Sequence, residues 1–258
     1  MHRPLLALTA AVLGLVLGLT ALPAHAADVT PLPTGTDVDY QLGGPVDRPA
    51  HVGIVVRDRT AAADPDRYNV CYVNGFQTQP DAKRFWRQRW NLVLKQDGRP
   101  VVDENWGEWL LDIATPAKRR RLAAIVGRWV DGCARDGFQA VEFDNLDSFT
   151  RSRGELSRRD ATAFARLLVR RTHAAGLAAG QKNLAGYDGT RIGFDFAVSE
   201  SCAQYRECGR YVEDFGTQVL MVEYRRVDFR RACADHGATH AIVLRDLALR
   251  PGHRARYC

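Results

Sequence analysis

The chain has 258 residues, 46% of them hydrophobic, with 36 lysines and arginines against 30 acids and a net charge of +6. That length and composition exclude a disordered tail or a fibre and suit one large core, the size of a single α/β barrel of roughly 250 residues. The positive balance would suit a polyanion, but the basic residues are scattered over predicted helices (118–121, 158–159, 170–171) and a loop (225–226) without a recognition motif. No nucleic-acid partner is therefore expected.

Residues 1–26 read as a secretory signal. His2 and Arg3 precede an apolar run from Leu5 to Leu22, and Ala24-His25-Ala26 forms a small-residue cleavage site. Thr9, Gly14, Gly18 and Thr20 dilute the run and no basic cluster follows it, so cleavage is expected in place of anchoring. The product is then secreted, extracellular and free of membrane. Loss of Arg3 leaves +5, and all six cysteines stay in the exported part. An even cysteine count in an exported chain points to disulfides. There is no CxxC or HExxH, no GxSxG elbow and no phosphate-cradling or dinucleotide glycine loop, so no metal and no cofactor are expected.

A proline-, threonine- and glycine-rich linker over 27–37 leads into one domain spanning 38–258. Eight apolar or β-branched runs follow: 38–42, 52–57, 69–74, 139–144, 177–182, 195–200, 219–224 and 241–246. Amphipathic helices are predicted between several of them, most clearly over 116–135 and 159–175. Pro116 suits a helix first turn, Asp160 an N-terminus and Gly176 the position after a C-cap. Strands alternating with helices pair in parallel, and eight such units close into a (β/α)8 TIM-type barrel. The first two strands stand too close for a helix between them, so the barrel is expected to be irregular there. A long insertion, 77–115, separates strands three and four. It carries Trp86, Trp90, Trp106 and Trp109 together with Asp103, Glu104, Glu108 and Asp112. Most of these aromatics are expected to pack the insertion onto the barrel, with Trp106 chosen as the one lining a groove.

In this fold the chemistry gathers at the carboxyl ends of the strands. Alternation along Ala140–Asp144 puts Glu142 and Asp144 on one face, and a second apolar strand stops on Glu200. The other strand ends supply Tyr72, Asn74, Lys182, Asn183, Glu223, Tyr224 and Asp246, a polar ring with several carboxylates.

The segments VCYVNGFQTQ (70–79), AVEFDNLDSFTRS (140–152), GQKN (180–183), GFDFAVSESC (193–202), VEY (222–224) and LRD (244–246) resemble glycoside hydrolase family 114, whose members are similar to endo-α-1,4-polygalactosaminidases. The motifs run in the family's order from about Asp39 to Cys258. Phe143 stands where the family usually has proline, and Ser201 where close relatives often carry an acid. The resemblance implies an endo-acting glycosidase on a galactosamine-containing polysaccharide, which the signal segment makes secreted; a monomer is expected. The same resemblance singles out Glu142 and Glu200 as the catalytic pair, and we assign Glu142 as nucleophile or base and Glu200 as acid. Strands four and six, two apart around the barrel, can bring those carboxyls face to face. Substrate contacts are expected from Tyr72, Asn74, Trp106, Asp144, Asn145, Lys182, Tyr224 and Asp246, with Lys182 more readily an ion-pair partner than a catalyst. The alternative is a barrel of the same ancestry that binds carbohydrate without cleaving it.

Position along the chain also suggests disulfide pairs. Cys202 and Cys208 would brace the loop behind Glu200, and Cys233 with Cys258 would tie down the terminus. Cys71 points away from Tyr72 toward the helix layer, where Cys133 ends the helix feeding strand four.

Overall fold

The computed structural model describes residues 29–258; the expected signal segment and the start of the linker lie outside the described residues. Counting only barrel strands, the main sheet runs β1 (Asp37–Tyr40), β2 (Val52–Asp58), β3 (Tyr68–Asn74), β4 (Ala140–Asp144), β5 (Ala178–Lys182), β6 (Phe196–Glu200), β7 (Val219–Glu223), β8 (Ala241–Leu244) and β9 (Arg256–Tyr257). Spatial order follows chain order, all pairs from β1 to β8 are parallel, and β9 adds antiparallel to β8. The expected irregular (β/α)8 barrel is what forms. It is nearly closed: β1 and β9 are the ends of the hydrogen-bonded order, and Arg245 bridges from beyond β8 to the Asp39 carboxylate (2.8 Å) and the Tyr40 carbonyl.

Parallel neighbours normally need a crossover helix. The β1–β2 and β2–β3 connections have none, whereas α2 (Pro116–Arg135) precedes β4 and α3 (Arg158–Ala174) precedes β5. Both helices begin as their sequences suggest. Thr115 caps α2 ahead of Pro116, and Ser157 and Asp160 form a reciprocal capping box on α3. Gly176, at φ +77°, turns the chain out of α3 toward β5. Short helices α4 (Cys202–Tyr205) and α5 (Cys208–Phe215) join β6 to β7, and α6 (Arg226–His236) joins β7 to β8.

Two apolar layers result from strand alternation. Val38, Tyr40, Ile54, Val56, Val70, Tyr72, Ala140, Ala178, Phe196, Val198, Leu220, Val222 and Val243 fill the barrel. The alternate residues, Cys71, Val73, Val141, Phe143, Ala179 and Met221 among them, pack outward against the helices. Gly180 is bare for a reason: a Cβ there would lie 2.4 Å from the Phe196 ring, which fills the interior below Lys182. The three expected disulfides are present, Cys71–Cys133, Cys202–Cys208 and Cys233–Cys258, with Cα separations of 6.1, 4.8 and 5.5 Å. Among the described residues no helix is long and apolar enough to cross a membrane.

The insertion holds a five-residue helix α1 (Lys83–Arg87) and two short antiparallel ladders, 95–96 with 99–100 and 102–103 with 108–109. Trp86 and Trp109 are buried beneath it, while Trp106 stays 58% exposed. The insertion thus forms a wall beside the carboxyl ends of β3 and β4.

Candidate active site

The inward-facing series on successive strands ends at the mouth in Asp58, Asn74, Asp144, Lys182, Glu200 and Tyr224. All of these but the buried Asn74 meet a groove of about 650 Å³ lined further by Tyr72, Asp103, Trp106, Glu108, Asn145, Asp147, Arg151, Asn183, Tyr205 and Leu247. Of the ionisable residues around it, Asp58, Asp81, Asp103, Glu108, Asp144, Asp147 and Glu200 are acids, and only Lys182 and Arg151 are permanent cations. The mouth is acidic although the chain is basic.

Lys182 is the hub. Its ammonium, fully enclosed at the end of β5, lies 2.8 Å from Glu142 Oε1, 3.1 Å from Glu200 Oε2 and 3.6 Å from Asp144 Oδ1. It also donates to the Tyr40 hydroxyl at 2.7 Å, and that hydroxyl donates to Glu142 Oε1 at 2.6 Å. Burial opposes the charge on Lys182, but the three carboxylates outweigh it and hold its pKa well above the usual lysine value. Burial also pushes Glu142 up to about 7, against the pull of Lys182. Tyr40, buried among these acids, is held well above the ordinary tyrosine range and stays a neutral relay between lysine and glutamate.

Glu142 and Asp144 share a face, but not a fate. Glu142 is wholly buried one layer below the groove and does not line it. Asp144, one inward step farther along β4, does. Tyr72 donates to Asp144 Oδ2 at 2.7 Å, and the Asn145 N–H donates to Oδ1 at 2.8 Å. Glu200 also faces the groove: the Tyr224 hydroxyl donates to Oε1, Asn183 Nδ2 reaches Oε2 at 3.4 Å, and the Glu200 N–H donates to Asn183 Oδ1 at 2.8 Å. Through their shared lysine, Asp144 Oδ1 and Glu200 Oε2 lie no more than about 6.7 Å apart, the sum of their distances to Nζ. Asn145, Asn183 and Ser201, the residues that follow these strands, hold positive φ values of 66°, 52° and 59°. Such backbone is sparsely populated and tends to collect where a site over-determines it.

Most of the other expected residues gather here as well. Asn74 is buried just behind the groove wall, where it donates to Glu108 Oε2 and accepts from Asn145 Nδ2 at 3.1 Å, and Trp106 lines the groove from the insertion. Asp246 does not join them: β8 stops at Leu244, and the Asp246 carboxylate turns to Arg250 (2.9 Å) and His253. Glu223, at the end of β7, is buried under α4, accepting the Ala203 N–H at 2.8 Å. Sequence reasoning overlooked Tyr40, Asp58, Tyr205, Arg151 and the inward roles of Asp103 and Glu108. Alternation on β1 was the available signal for Tyr40, the last inward residue of that strand.

A family model described as "Glycoside-hydrolase family GH114" matches residues 18–258. The chain belongs to glycoside hydrolase family GH114. Among solved structures it is similar to Aspergillus fumigatus Ega3 in complex with galactosamine, at 22% identity and TM-score 0.70, covering 90% of this chain and 100% of that one. It is also similar to the glycoside hydrolase domain of PelA from Pseudomonas aeruginosa, at 16% identity and TM-score 0.59, covering 86% of this chain and 98% of that one. At these identities the likeness establishes a shared fold. No curated protein sequence matches the chain. Membership of GH114 makes the acidic groove at the strand ends the natural place for glycoside hydrolysis.

Proposed function

We propose that this protein is a secreted glycosidase that cleaves within α-1,4-linked, galactosamine-containing polysaccharide, using Asp144 and Glu200. The observation that carries the reading is the single lysine joining these two groove-facing carboxylates. Glycoside hydrolysis needs one carboxyl to protonate the leaving oxygen and one carboxylate to attack the anomeric carbon or activate water. Glu200 keeps the role of acid. The partner role, expected for Glu142, passes to Asp144, because Glu142 has no solvent-facing atom with which to meet a sugar.

The spacing supports a retaining course. Retaining pairs stand about 5–5.5 Å apart, while inverting pairs stand roughly 6.5–9.5 Å apart to admit a water. The nearest oxygens, held within about 6.7 Å of each other by Lys182, lie closer to the first range than to most of the second. Asp144 then attacks the anomeric carbon as Glu200 gives its proton to the departing oxygen. Water subsequently loses a proton to Glu200 and displaces Asp144, restoring both groups. Lys182 stays protonated beneath them, anchored by Glu142 and Tyr40. Tyr72 and Asn145 fix the Asp144 carboxylate for in-line attack, and Tyr224 does the same for Glu200.

Three features support the substrate. The groove's excess of acids suits a polymer bearing free amines, the likeness to an Ega3 structure holding galactosamine points the same way, and exposed aromatics line the groove. Attraction acts at contact range, inside a screening length of about 8 Å at physiological salt, so the basic outer surface does not oppose it. The test is product analysis on defined α-1,4-galactosamine oligomers, deacetylated and acetylated. Internal cleavage is expected; binding of every oligomer without cleavage would leave the non-catalytic barrel as the reading.

A further inference from the structure

The groove's one buried acid with no cationic partner lies on the wall built by the insertion. In the short hairpin there, Asp103 and Glu108 stand directly opposite each other. Like charges across a ladder repel. Asp103 is relieved by Arg151 Nε at 2.8 Å, and Arg151 also binds Asp147 and Asn145. Asp144 and Glu200 share Lys182. Among the described residues, Glu108 has no lysine, arginine or histidine within salt-bridge distance. Its Oε2 accepts from Asn74 Nδ2 at 2.9 Å, which fixes the carboxyl, while Oε1 has no protein partner and opens on the groove.

A carboxyl 8% exposed, pinned on one side and open on the other, lacks a counter-charge that a ligand would bring. A single open oxygen is too small a donor set for a divalent metal, which takes several. It suits one N–H of an ammonium. We propose that Glu108 reads the amino group of the substrate: its carboxylate pairs with the ammonium of a galactosamine unit and thereby selects the free amine over the N-acetylated sugar. This deepens the hydrolase reading and takes the sugar's identity from it. An N-acetyl group offers no charge and would press its methyl on a desolvated carboxylate.

Asn74 belongs to the device. It ties Glu108 to the end of β3, and through Asn145 to the end of β4, so the amine reader is held in register with Asp144. The groups facing Glu108 are Asn74, Asp144 on β4, Asp103 across the hairpin and Arg151. Burial chiefly, with Asp144 and Asp103 adding to it against Asn74 and Arg151, pushes its pKa up to about 7. Only the ionised carboxylate attracts an ammonium, so the preference for free amine requires a pH high enough to ionise Glu108 and low enough to keep the sugar amine protonated.

The experiment titrates galactosamine, N-acetylgalactosamine and galactose against the full chain and against Glu108→Gln, which retains an acceptor for Asn74, with folding checked by circular dichroism. Hydrolysis of deacetylated and acetylated oligomers is followed in parallel. Wild type should bind galactosamine about tenfold or more tightly than the other two, the scale of one charge-assisted bond. Glu108→Gln should level all three, and should lose a similar factor in kcat/KM, through KM, on deacetylated oligomers alone. Equal affinity of wild type for the three sugars, or a Glu108→Gln that keeps the preference, overturns the proposal. A preserved binding preference without hydrolysis of any oligomer removes the hydrolase reading and leaves the amine reader standing.

Discussion

The ammonium of Lys182 lies 2.8 Å from the Glu142 carboxylate, Glu142 fully buried and Lys182 only 2% exposed at the groove floor. Removing one member of a buried pair costs about 3–5 kcal/mol when the other charge is left alone; here Glu200 and Asp144 still face the ammonium, so the low end of that range is expected. Glu142→Ala is therefore expected to lose stability on that order in urea unfolding as well as activity. A small nucleophile such as azide should restore no turnover, because Glu142 is buried and does not line the groove.

Asp144→Asn and Glu200→Gln should behave differently. Each keeps its shape and most of its hydrogen bonds, so the urea midpoint should stay near wild type. Turnover on deacetylated oligomers should fall on the order of 10²–10⁴-fold or more, the usual scale for losing a proton-transfer group. Azide should partly rescue Asp144→Gly. Proton NMR of the first-formed product should show the substrate's α configuration. Initial formation of the β anomer would exclude the retaining course.

Stability should also depend on pH through Glu223. Burial raises its pKa from 4.5 to about 7, opposed by the Ala203 N–H it accepts. The folded chain therefore holds this proton more tightly than the unfolded chain. Its contribution is present below about 4.5 and is lost as pH rises to about 7. Glu108 and Glu142 are raised to about 7 as well and add to the slope. Tm measured across that window should decline more gently in Glu223→Gln than in wild type; an unchanged slope would remove Glu223 from the balance.

The three disulfides should separate by effect. Cys71–Cys133 spans 62 residues and should contribute about 4 kcal/mol in the chain-entropy model, against about 2 kcal/mol for Cys202–Cys208, which spans 6. The paired Cys71→Ala, Cys133→Ala variant should show the larger fall in Tm. Removing Cys202–Cys208 should instead raise KM, since that loop follows Glu200 and carries Tyr205 into the groove.

All eight parallel strands were legible because their alternation is a local property, and Cys71 opposite Tyr72 made one cross-link readable as well. Depth along a strand was not. Glu142 and Asp144 share a face, yet only packing by Tyr40, from a strand a hundred residues earlier, makes the first an anchor and the second a wall residue. Asp246 lies off the groove because β8 ends two residues sooner than its apolar pattern, and a local ion pair with Arg250 holds the carboxylate. Glu108 and Asp103 carried no periodic signal; the docking of a long insertion onto strand ends gives them their role.

Tyr40 has a second connection. Its backbone carbonyl accepts from Arg245 at the one junction of the barrel that lacks a strand ladder, while its hydroxyl holds Glu142. Contacts between β1 and the far end of the chain have the longest loop to close, so they are the natural last event of folding. Until that junction zips, Lys182 lacks its tyrosine and the catalytic floor stays unassembled. In refolding, helical signal should return ahead of enzymatic competence, and a lag between the two would time the closing of the seam.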